Sequence, residues 1–379
     1  MAPPLRLLTE SNSLDVLGGI EKCTFEDAVA LESRGIHVDL LFGSEGAFRS
    51  VLEESGVGLR GPVAFDAHVK KPVAGIRLIV PSAYWARVRR PDVLWLQRFE
   101  HIFWAQGVAR WTRCPIVCHL HQRPNYNRVR LVSTGVAHFV AVSSFMREVW
   151  VEAGIDEDRI TVVPNSVPLE NYPKGGTEER NLARRGLGIE ADSSVVLCYG
   201  SQLEHKGIGT LLDACLDCES SIENLLLVLV GDPSPVGDSV LGAKIERLGT
   251  SRVRWFPMQA DVTPFLHAAD LVVFPTWLEE GFGRVVIEGM ATGRPVVASR
   301  IGAVPEILSG AMDRFLVEPR SSQALGEAIV SFIDWRVVTP GLGEECAQWV
   351  AAKYPYDRHV SALADTLARY SRRKSPIGS

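Results

Sequence analysis

The chain of 379 residues is 46% hydrophobic, 22% charged and 8% aromatic, which is typical of a folded globular protein long enough for two domains. Its 40 Lys and Arg against 45 Asp and Glu give a net charge of −5, so we expect no nucleic acid as a partner. No run approaches the roughly 18 apolar residues of a membrane span, and the amino-terminal residues lack the apolar core of a signal peptide. We therefore expect a cytoplasmic protein; attachment to a membrane surface is the less favoured alternative.

Seven cysteines are scattered along the sequence, and two of them, Cys215 and Cys218, form a C-x-x-C pair. No second cysteine pair or histidine pair follows at the spacing of a zinc site. We interpret the pair as two small residues on one helix rather than as a redox or metal site. We expect no metal and no cofactor, and an odd number of reduced thiols is typical of the cytoplasm.

Short apolar runs alternate with longer amphipathic stretches through the first half of the chain. Several runs are apolar on consecutive residues, which is typical of parallel strands buried on both faces. They are LRLL (5–8), VDLLF (38–42), DVLWL (92–96), PIVCHL (115–120), HFVAV (138–142) and ITVV (160–163). The stretch 21–35 is predicted to be a helix that ends at Gly35. This alternation predicts a parallel sheet with right-handed crossovers over residues 1–168.

Residues 169–194 interrupt the alternation, because they have little apolar periodicity and contain Pro173, Gly175, Gly176 and a run of charges. This composition predicts a linker between two domains. Over residues 195–356 the alternation resumes, with the runs VVLCYG (195–200), NLLLVLVG (224–231), VRWF (253–256), DLVVF (270–274), RPVVAS (294–299) and RFLVE (314–318). We predict an α/β protein with two Rossmann-like, doubly wound domains facing a central cleft.

The most informative segment follows the run that ends at Phe274. A loop containing Glu280 and the glycines of G-F-G leads into a helix predicted to begin near Arg284 and to include Glu288. Ligands of open α/β sheets bind beyond the carboxyl ends of strands, and the free N–H groups at a helix start suit a phosphate. A carboxylate accepts two hydrogen bonds, so each glutamate can hold a vicinal diol of a sugar or a ribose.

The stretch EGFGRVVIEGMATGRPVVASRIGAVPE, from Glu280 to Glu306, resembles the signature of glycosyltransferase family 4. Segments 142–167, 199–214, 228–232 and 253–276 resemble further parts of that family, whereas the first hundred residues match only at GGIE (18–21). The resemblance implies the GT-B fold, with the terminal helix 357–373 returning to the first domain. It also implies transfer with retention and without an obligatory metal, from a nucleotide-diphosphate sugar. A UDP-sugar is the favoured donor and a GDP-sugar the alternative.

Carried over residue by residue, the resemblance implies roles for individual side chains. Glu280 would hold hydroxyls of the donor sugar, Glu288 the ribose diol, and Lys206 the diphosphate, where a positive charge stabilises the leaving group. The residues expected to bind the donor are Gly18, Gly19, Ser201, Lys206, Met258, Glu280, Gly281, Phe282, Gly283, Arg284, Val285 and Glu288. His121, Lys206 and Glu280 are the catalytic candidates, His121 as a residue that contacts the donor sugar rather than as an established general base.

One position departs from the family pattern. The family usually has Arg directly after the glycine that ends the first strand of the nucleotide-binding domain, where this chain has Ser201. One cationic partner of the diphosphate is therefore missing, and Arg284 or Arg300 is expected to compensate, or the phosphate is held more weakly. His119, two residues before His121, is interpreted as a packed histidine.

The acceptor site is expected in the poorly matched segments 9–21, 97–104 and 121–128, which are polar and aromatic. The predicted reaction is transfer of a hexose or amino-hexose to a hydroxyl of a small polar or glycan acceptor, in bacterial secondary-metabolite or surface-glycan biosynthesis. Two alternatives stay open: another GT-B activity, such as a sugar-nucleotide epimerase or a phosphorylase, and a non-catalytic sugar-nucleotide sensor.

Overall fold

The computed structural model describes residues 4–15, 18–65, 72–233 and 238–372. The chain divides into two compact units, Met1–Asn165 with Tyr356–Ser379, and Ser166–Pro355. Each unit contains one sheet whose paired strands all run parallel. The alternation of apolar runs and helices in the sequence predicted this arrangement.

The first unit has a seven-stranded sheet in the order β3-β2-β1-β4-β5-β6-β7. Its strands are β1 (Arg6–Ser11), β2 (His37–Phe42), β3 (Gly58–Arg60), β4 (Val93–Leu96), β5 (Ile116–Leu120), β6 (Val136–Ala141) and β7 (Ile160–Val162). Its helices before residue 165 are α1 (Gly19–Ser33), α2 (Arg49–Glu54), α3 (Pro72–Arg89), α4 (Ile102–Thr112), α5 (Val129–Val132) and α6 (Ser144–Glu152). Every residue of β4 and β5 is buried, as expected where helices cover both faces of a parallel sheet.

The second unit has a six-stranded sheet in the order β10-β9-β8-β11-β12-β13. Its strands are β8 (Ser194–Tyr199), β9 (Leu225–Val230), β10 (Val253–Phe256), β11 (Leu271–Phe274), β12 (Val296–Ser299) and β13 (Leu316–Val317). Its helices are α7 (Thr177–Leu187), α8 (Ile208–Cys218), α9 (Ser239–Leu248), α10 (Thr263–Ala268), α11 (Arg284–Ala291), α12 (Val304–Ile307), α13 (Ser322–Phe332), α14 (Trp335–Val338) and α15 (Leu342–Lys353). In both sheets the strand order reverses beside the first strand, which is where α/β proteins bind ligands.

The segment 169–194 corrects the prediction of a linker, because it belongs to the second unit and contains α7. The side chain of Arg184 in α7 is only 1% exposed. Its guanidinium donates to Asp270 Oδ2 at 2.7 Å and to the carbonyls of Ala191 and Ser193 at 2.8 Å each. The charge run that suggested a solvated linker therefore includes a buried, fully engaged arginine.

The terminal helix α16 (Tyr356–Arg369) packs in the first unit. His359 of α16 contacts Asp27 of α1 at 3.0 Å and the carbonyl of Pro164 at 2.8 Å, and both side chains are buried. Val360, Leu363 and Leu367 join the core beneath the first sheet. Residue 373, the predicted end of this helix, lies outside the described residues, as do positions 16 and 17 of the predicted acceptor segment 9–21.

In the described ranges, no helix combines the length and the apolar character needed to cross a bilayer. The seven cysteines are all buried and none forms a disulfide. Cys215 and Cys218 lie on α8, where burial raises the pKa of both thiols. This agrees with their interpretation as packed residues of one helix.

Candidate functional site

Two loops meet at the carboxyl edge of the second sheet. A short 3₁₀ helix, Glu204–Lys206, follows β8, and the loop 275–283 follows β11. The Trp277 N–H donates to the carbonyl of His205 at 2.8 Å. Gly207 has a φ of +81°, and a Cβ there would lie 1.9 Å from the Pro275 carbonyl oxygen. Only glycine allows this approach, so Gly207 fixes the first loop against the end of β11.

This contact brings together the lysine and the glutamate that the sequence singled out. Lys206 Nζ lies 2.5 Å from Glu280 Oε1, across 74 positions of sequence. The two side chains are 28% and 21% exposed, so the pair is only partly shielded from solvent. A Cβ at Gly302 would lie 2.5 Å from the Glu280 backbone nitrogen, and the Ala303 N–H donates to the Glu280 carbonyl at 3.0 Å. The loop carrying Glu280 is thus held from both sides.

Helix α11 begins at Arg284, as predicted. Gly283 is its N-cap, with a φ of +103°, and no side chain caps the helix. Phe282 is buried and packs edge-on against Tyr354, with ring centroids 5.5 Å apart. The amide groups of Gly283, Arg284 and Val285 therefore lie at the positive end of the helix dipole, an arrangement that suits an anion.

Glu288, one turn into α11, is buried among protein donors. The hydroxyl of Tyr172 donates to its Oε1 and that of Tyr199 to its Oε2, each at 2.8 Å. Arg284 approaches Oε1 with Nε at 3.1 Å and Nη2 at 3.0 Å. The whole Glu288 residue is only 4% exposed. The sequence predicted that this carboxylate binds a ligand. In the structure it accepts hydrogen bonds from Tyr172, Tyr199 and Arg284, and these bonds hold the start of α11 in place.

Arg284 and Arg300 were the two residues expected to replace the arginine that the family usually has at the position of Ser201. Arg300 forms hydrogen bonds to Asp313 at 2.9 and 3.0 Å, and Arg284 is bound to Glu288. Both guanidinium groups are therefore already paired with a carboxylate of the protein. Ser201 is half-buried between β8 and the 3₁₀ helix of Lys206. Met258, predicted to lie where the main chain reads the base, is 36% exposed and its N–H donates to Asp232 at 3.1 Å.

In the first unit, His121 directly follows β5 and is oriented by Gln97, which directly follows β4. His121 Nε2 lies 3.0 Å from Gln97 Oε1, and Gln97 Nε2 donates to Thr9 Oγ1 at 3.1 Å. The Thr9 hydroxyl donates its one hydrogen to the Trp95 carbonyl at 2.8 Å, so it must accept from the Gln97 amide. This fixes Gln97 Oε1 toward His121 and makes Nε2 the protonated nitrogen of that ring.

A second polar cluster lies beside it at the carboxyl end of β1. Glu10 is fully buried and accepts the N–H groups of Gln97 and Arg98 at 3.1 and 3.0 Å. His101 Nδ1 contacts the same carboxylate at 3.2 Å. The Arg98 guanidinium pairs with buried Glu21 in the first turn of α1, three residues after Gly18.

His119 is fully packed, as the sequence interpretation held. Its ring stacks obliquely on His121 with centroids 4.2 Å apart, and its two nitrogens have no hydrogen-bond partner in the described chain. Burial, and next the neighbouring His121, lower the pKa of His119 well below its usual value. The ring is therefore neutral and acts as part of the core behind His121.

Comparison with known proteins decides the family. The family model described as glycosyl transferases group 1 matches residues 193–334, and that of Glycosyltransferase Family 4 matches residues 17–171. Together they cover both units. The chain belongs to glycosyltransferase family 4.

Among curated relatives, the D-inositol 3-phosphate glycosyltransferase of Segniliparus rotundus is 33% identical over 70% of this chain and 66% of its own. The lipopolysaccharide 1,2-N-acetylglucosaminetransferase of Salmonella typhimurium is 34% identical over 50% of this chain and 51% of its own. The chain spans about half the length of several curated relatives that it matches.

Solved glycosyltransferase structures show the same fold. Anabaena HepE, crystallised with UDP and glucose, superposes with a TM-score of 0.83 and 24% identity, covering 96% of this chain and 99% of that one. A glycosyltransferase from Rickettsia africae gives a TM-score of 0.84 at 18% identity, over 98% and 100% of the two chains. The predicted GT-B fold, with its two Rossmann-like units, is confirmed.

Sequence reasoning included three polar residues at the carboxyl edge of the first sheet within the predicted acceptor segments 9–21 and 97–104, but gave none of them a role of its own. They are Gln97, Glu10 and His101, which orient one another and His121. A signal was present for Gln97 and Glu10, since each lies at or just after the end of an apolar run. In the described residues, no group of three or more His, Cys, Asp or Glu side chains is arranged to hold a metal ion.

Proposed function

We propose that this family 4 chain is a retaining glycosyltransferase that uses a nucleotide-diphosphate sugar. In this proposal it moves a hexose or amino-hexose to a hydroxyl of a small polar or glycan acceptor. The single observation that carries the proposal is the Lys206–Glu280 pair, 2.5 Å apart, in which Glu280 lies in the loop that leads into α11. A cation, a carboxylate and a helix N-terminus together offer partners for a diphosphate and for sugar hydroxyls.

The group that most needs stabilisation in this reaction is the leaving diphosphate. Negative charge grows on the departing diphosphate, and the Lys206 ammonium and the amide groups at Gly283, Arg284 and Val285 would stabilise it. Glu280 would then exchange its lysine partner for hydroxyls of the donor sugar. Glu288 supports the ribose of the nucleotide in this scheme, and must give up part of its network with Tyr172 and Tyr199 to do so.

His121 and Gly18 of the first unit complete the proposal. The Gln97 contact holds the His121 ring in one orientation and one tautomer, which favours a positioned hydrogen-bonding group over a mobile base. A Cβ at Gly18 would meet Glu21 Oε2 at 3.6 Å, an ordinary contact. The surrounding protein therefore leaves room for a Cβ at this position, and in the proposal glycine is there to allow close approach of a donor phosphate.

UDP is the favoured nucleotide, because HepE was crystallised with UDP and with UDP-glucose; a GDP-sugar is the alternative. The lipopolysaccharide transferase from Salmonella supports a role in bacterial surface-glycan biosynthesis, with secondary metabolism as the alternative setting. A glycan or a small polyol is the proposed acceptor class.

Binding and turnover measured side by side test the proposal. Calorimetric titration and melting curves with UDP, GDP and their sugar conjugates identify the nucleotide, since a ligand that binds only the folded state must raise the melting temperature. Nucleotide-diphosphate release is then followed with candidate acceptors and, separately, with inorganic phosphate. Release that needs phosphate instead of an acceptor would indicate a phosphorylase, and binding without release would indicate a sensor. A sugar nucleotide that changes configuration without release would indicate an epimerase.

A further inference from the structure

An arginine-lined cavity of about 500 Å³ lies in the first unit, away from the residues discussed so far. Its lining includes Arg87, Arg90, Arg110, Trp111, Arg113 and Arg372. Arg90 lies three residues before β4, and Arg113 lies three residues before β5. The cavity is therefore at the amino edge of the sheet, a strand length from His121 and Gln97 at the carboxyl edge, which is roughly 13–17 Å for strands of this length.

Positive charge in this cavity is not balanced by the surrounding protein. Arg372 pairs with Asp92 at 3.1 Å. Within the described ranges, Arg87, Arg90, Arg110 and Arg113 form no ion pair with a carboxylate, and all four are exposed. Between residues 72 and 134 the sequence has ten arginines against one aspartate and one glutamate, in a chain whose net charge is −5. Like charges grouped around one cavity repel, and a bound anion removes that repulsion.

The backbone at two of these arginines gives an independent observation. Arg90 and Arg113 follow the ends of α3 and α4, with φ of 55° and 54°. Helices commonly end in this left-handed conformation, but with glycine or asparagine at the position, because a side chain there is sterically unfavourable. Two helices that end at one cavity thus both carry an arginine where glycine would be more stable. Strain retained at neighbouring positions is characteristic of binding sites.

We propose that this arginine cavity is a phosphate-binding site, separate from the donor site. Its ligand class is a phosphate ester or diphosphate, because guanidinium groups bind such anions in a bidentate manner. Three large side chains beside it are exposed: Trp111 by 50%, Tyr84 by 68% and Val88 by 64%. Tyr84, Arg87 and Val88 share one face of α3 by their spacing, and Arg87 Nη1 lies 3.5 Å from the Trp111 carbonyl. Aromatic and apolar groups around basic residues fit the headgroup of an anionic lipid, although a soluble phosphate compound has the same recognition chemistry.

The test uses a variant in which charge and strain change together. In Arg90→Gly/Arg113→Gly the left-handed positions become favourable, so the unliganded variant should melt at or above the wild-type temperature. Inorganic pyrophosphate should raise the melting temperature of the wild type and of Lys206→Ala, which lacks a donor-site cation. It should raise that of the double variant much less. Arg320→Gly, at a φ of 65° in the second unit, is the matched control and should keep the pyrophosphate response.

A second experiment, with lipid vesicles, distinguishes a lipid headgroup from a soluble phosphate compound as the ligand of this cavity. In sedimentation assays the wild type should bind phosphatidylglycerol vesicles and not phosphatidylcholine vesicles. Binding to phosphatidylglycerol should fall about thirtyfold in the double variant, because each of the two arginines removed contributes about fivefold near an anionic surface. Vesicle binding assigns the site to a lipid headgroup, and a pyrophosphate response without it assigns a soluble phosphate compound. The proposal is overturned if the wild type responds to neither probe, or if the double variant responds as the wild type does. Because Lys206→Ala and the double variant are read separately, failure of this site and failure of the donor site are distinguishable.

Discussion

Lys206 Nζ and Glu280 Oε1 lie 2.5 Å apart in the second unit, joining the loop after β8 to the loop after β11. These strands are neighbours in the sheet, so their carboxyl ends bring both loops to one place. The two charges hold each other in position. In the proposed reaction the ammonium then faces the diphosphate and the carboxylate the sugar.

Lys206→Ala should lower turnover more than it weakens donor binding, because charge on the leaving diphosphate grows in the transition state. We expect kcat to fall about 10²–10³-fold, the usual effect of removing one preorganised electrostatic partner. Steady-state kinetics and calorimetry on the same preparation give the two quantities. Lys244→Ala is the matched control, because Lys244 also pairs with a carboxylate at 2.5 Å, that of Asp213, yet lies outside the proposed site. Equal losses in binding and turnover would argue against the assigned role of Lys206.

Glu288→Ala should reduce both nucleotide affinity and stability. The loss in affinity should be about 1–3 kcal/mol, as for a charged hydrogen-bond partner. The free energy of unfolding should fall by about 3–5 kcal/mol, because the buried Arg284 guanidinium is left without its counter-charge. Denaturant titration and calorimetry measure the two effects, and Glu288→Gln should lose less of each. A variant of unchanged stability would contradict the network seen around this carboxylate.

Gln97→Leu should lower kcat about 10–100-fold with a smaller change in KM, because His121 loses the partner that fixes its orientation. A residue that merely packed would change stability without separating kcat from KM. Thr9→Val provides the graded comparison: it removes the hydroxyl that accepts from the Gln97 amide and should have the same effect at smaller size. Wild-type kinetics in Gln97→Leu would remove Gln97 from the site.

The melting temperature should fall as the solution is acidified from about pH 7.5 to about pH 5, because two buried histidines are neutral in the folded protein. Burial, and next Arg159, lower the pKa of His138 to about 4, and burial lowers that of His119 well below its usual value. Both folded-state values lie below that of an unfolded histidine, so the unfolded chain binds more protons and acid favours unfolding. His138→Gln should reduce the slope of melting temperature against pH. An unchanged slope would mean that His138 does not contribute.

Much of the sheet architecture was predictable, because buried parallel strands are apolar on consecutive residues. The run VRWF coincides with β10, and the helix predicted to start near Arg284 does start there. The edge strand β3 was missed because Gly58, Leu59 and Arg60 form no apolar run. Residues 169–194 were misread, since nothing in a run of charges reveals that Arg184 will be buried against Asp270.

The candidate site was predictable where the family signature supplied it, and less so elsewhere. Glu280 and Lys206 were both named, but their direct ion pair depends on the contact of Gly207 with Pro275, which only the folded chain reveals. The hydroxyls of Tyr172 and Tyr199 reach Glu288 from elements 116 and 89 positions away. Long-range partners of this kind leave no local pattern in a sequence.

The most direct test of the central claim is time-resolved proton NMR of the protein with UDP-glucose and with UDP-N-acetylglucosamine, with and without candidate glycan acceptors. We expect UDP to be released and the first sugar product formed to have the α configuration of the donor. We also expect Lys206→Ala to slow this release and Lys244→Ala to leave it unchanged. A first product of β configuration, or no release of nucleotide from any sugar nucleotide that binds, would contradict the proposed function.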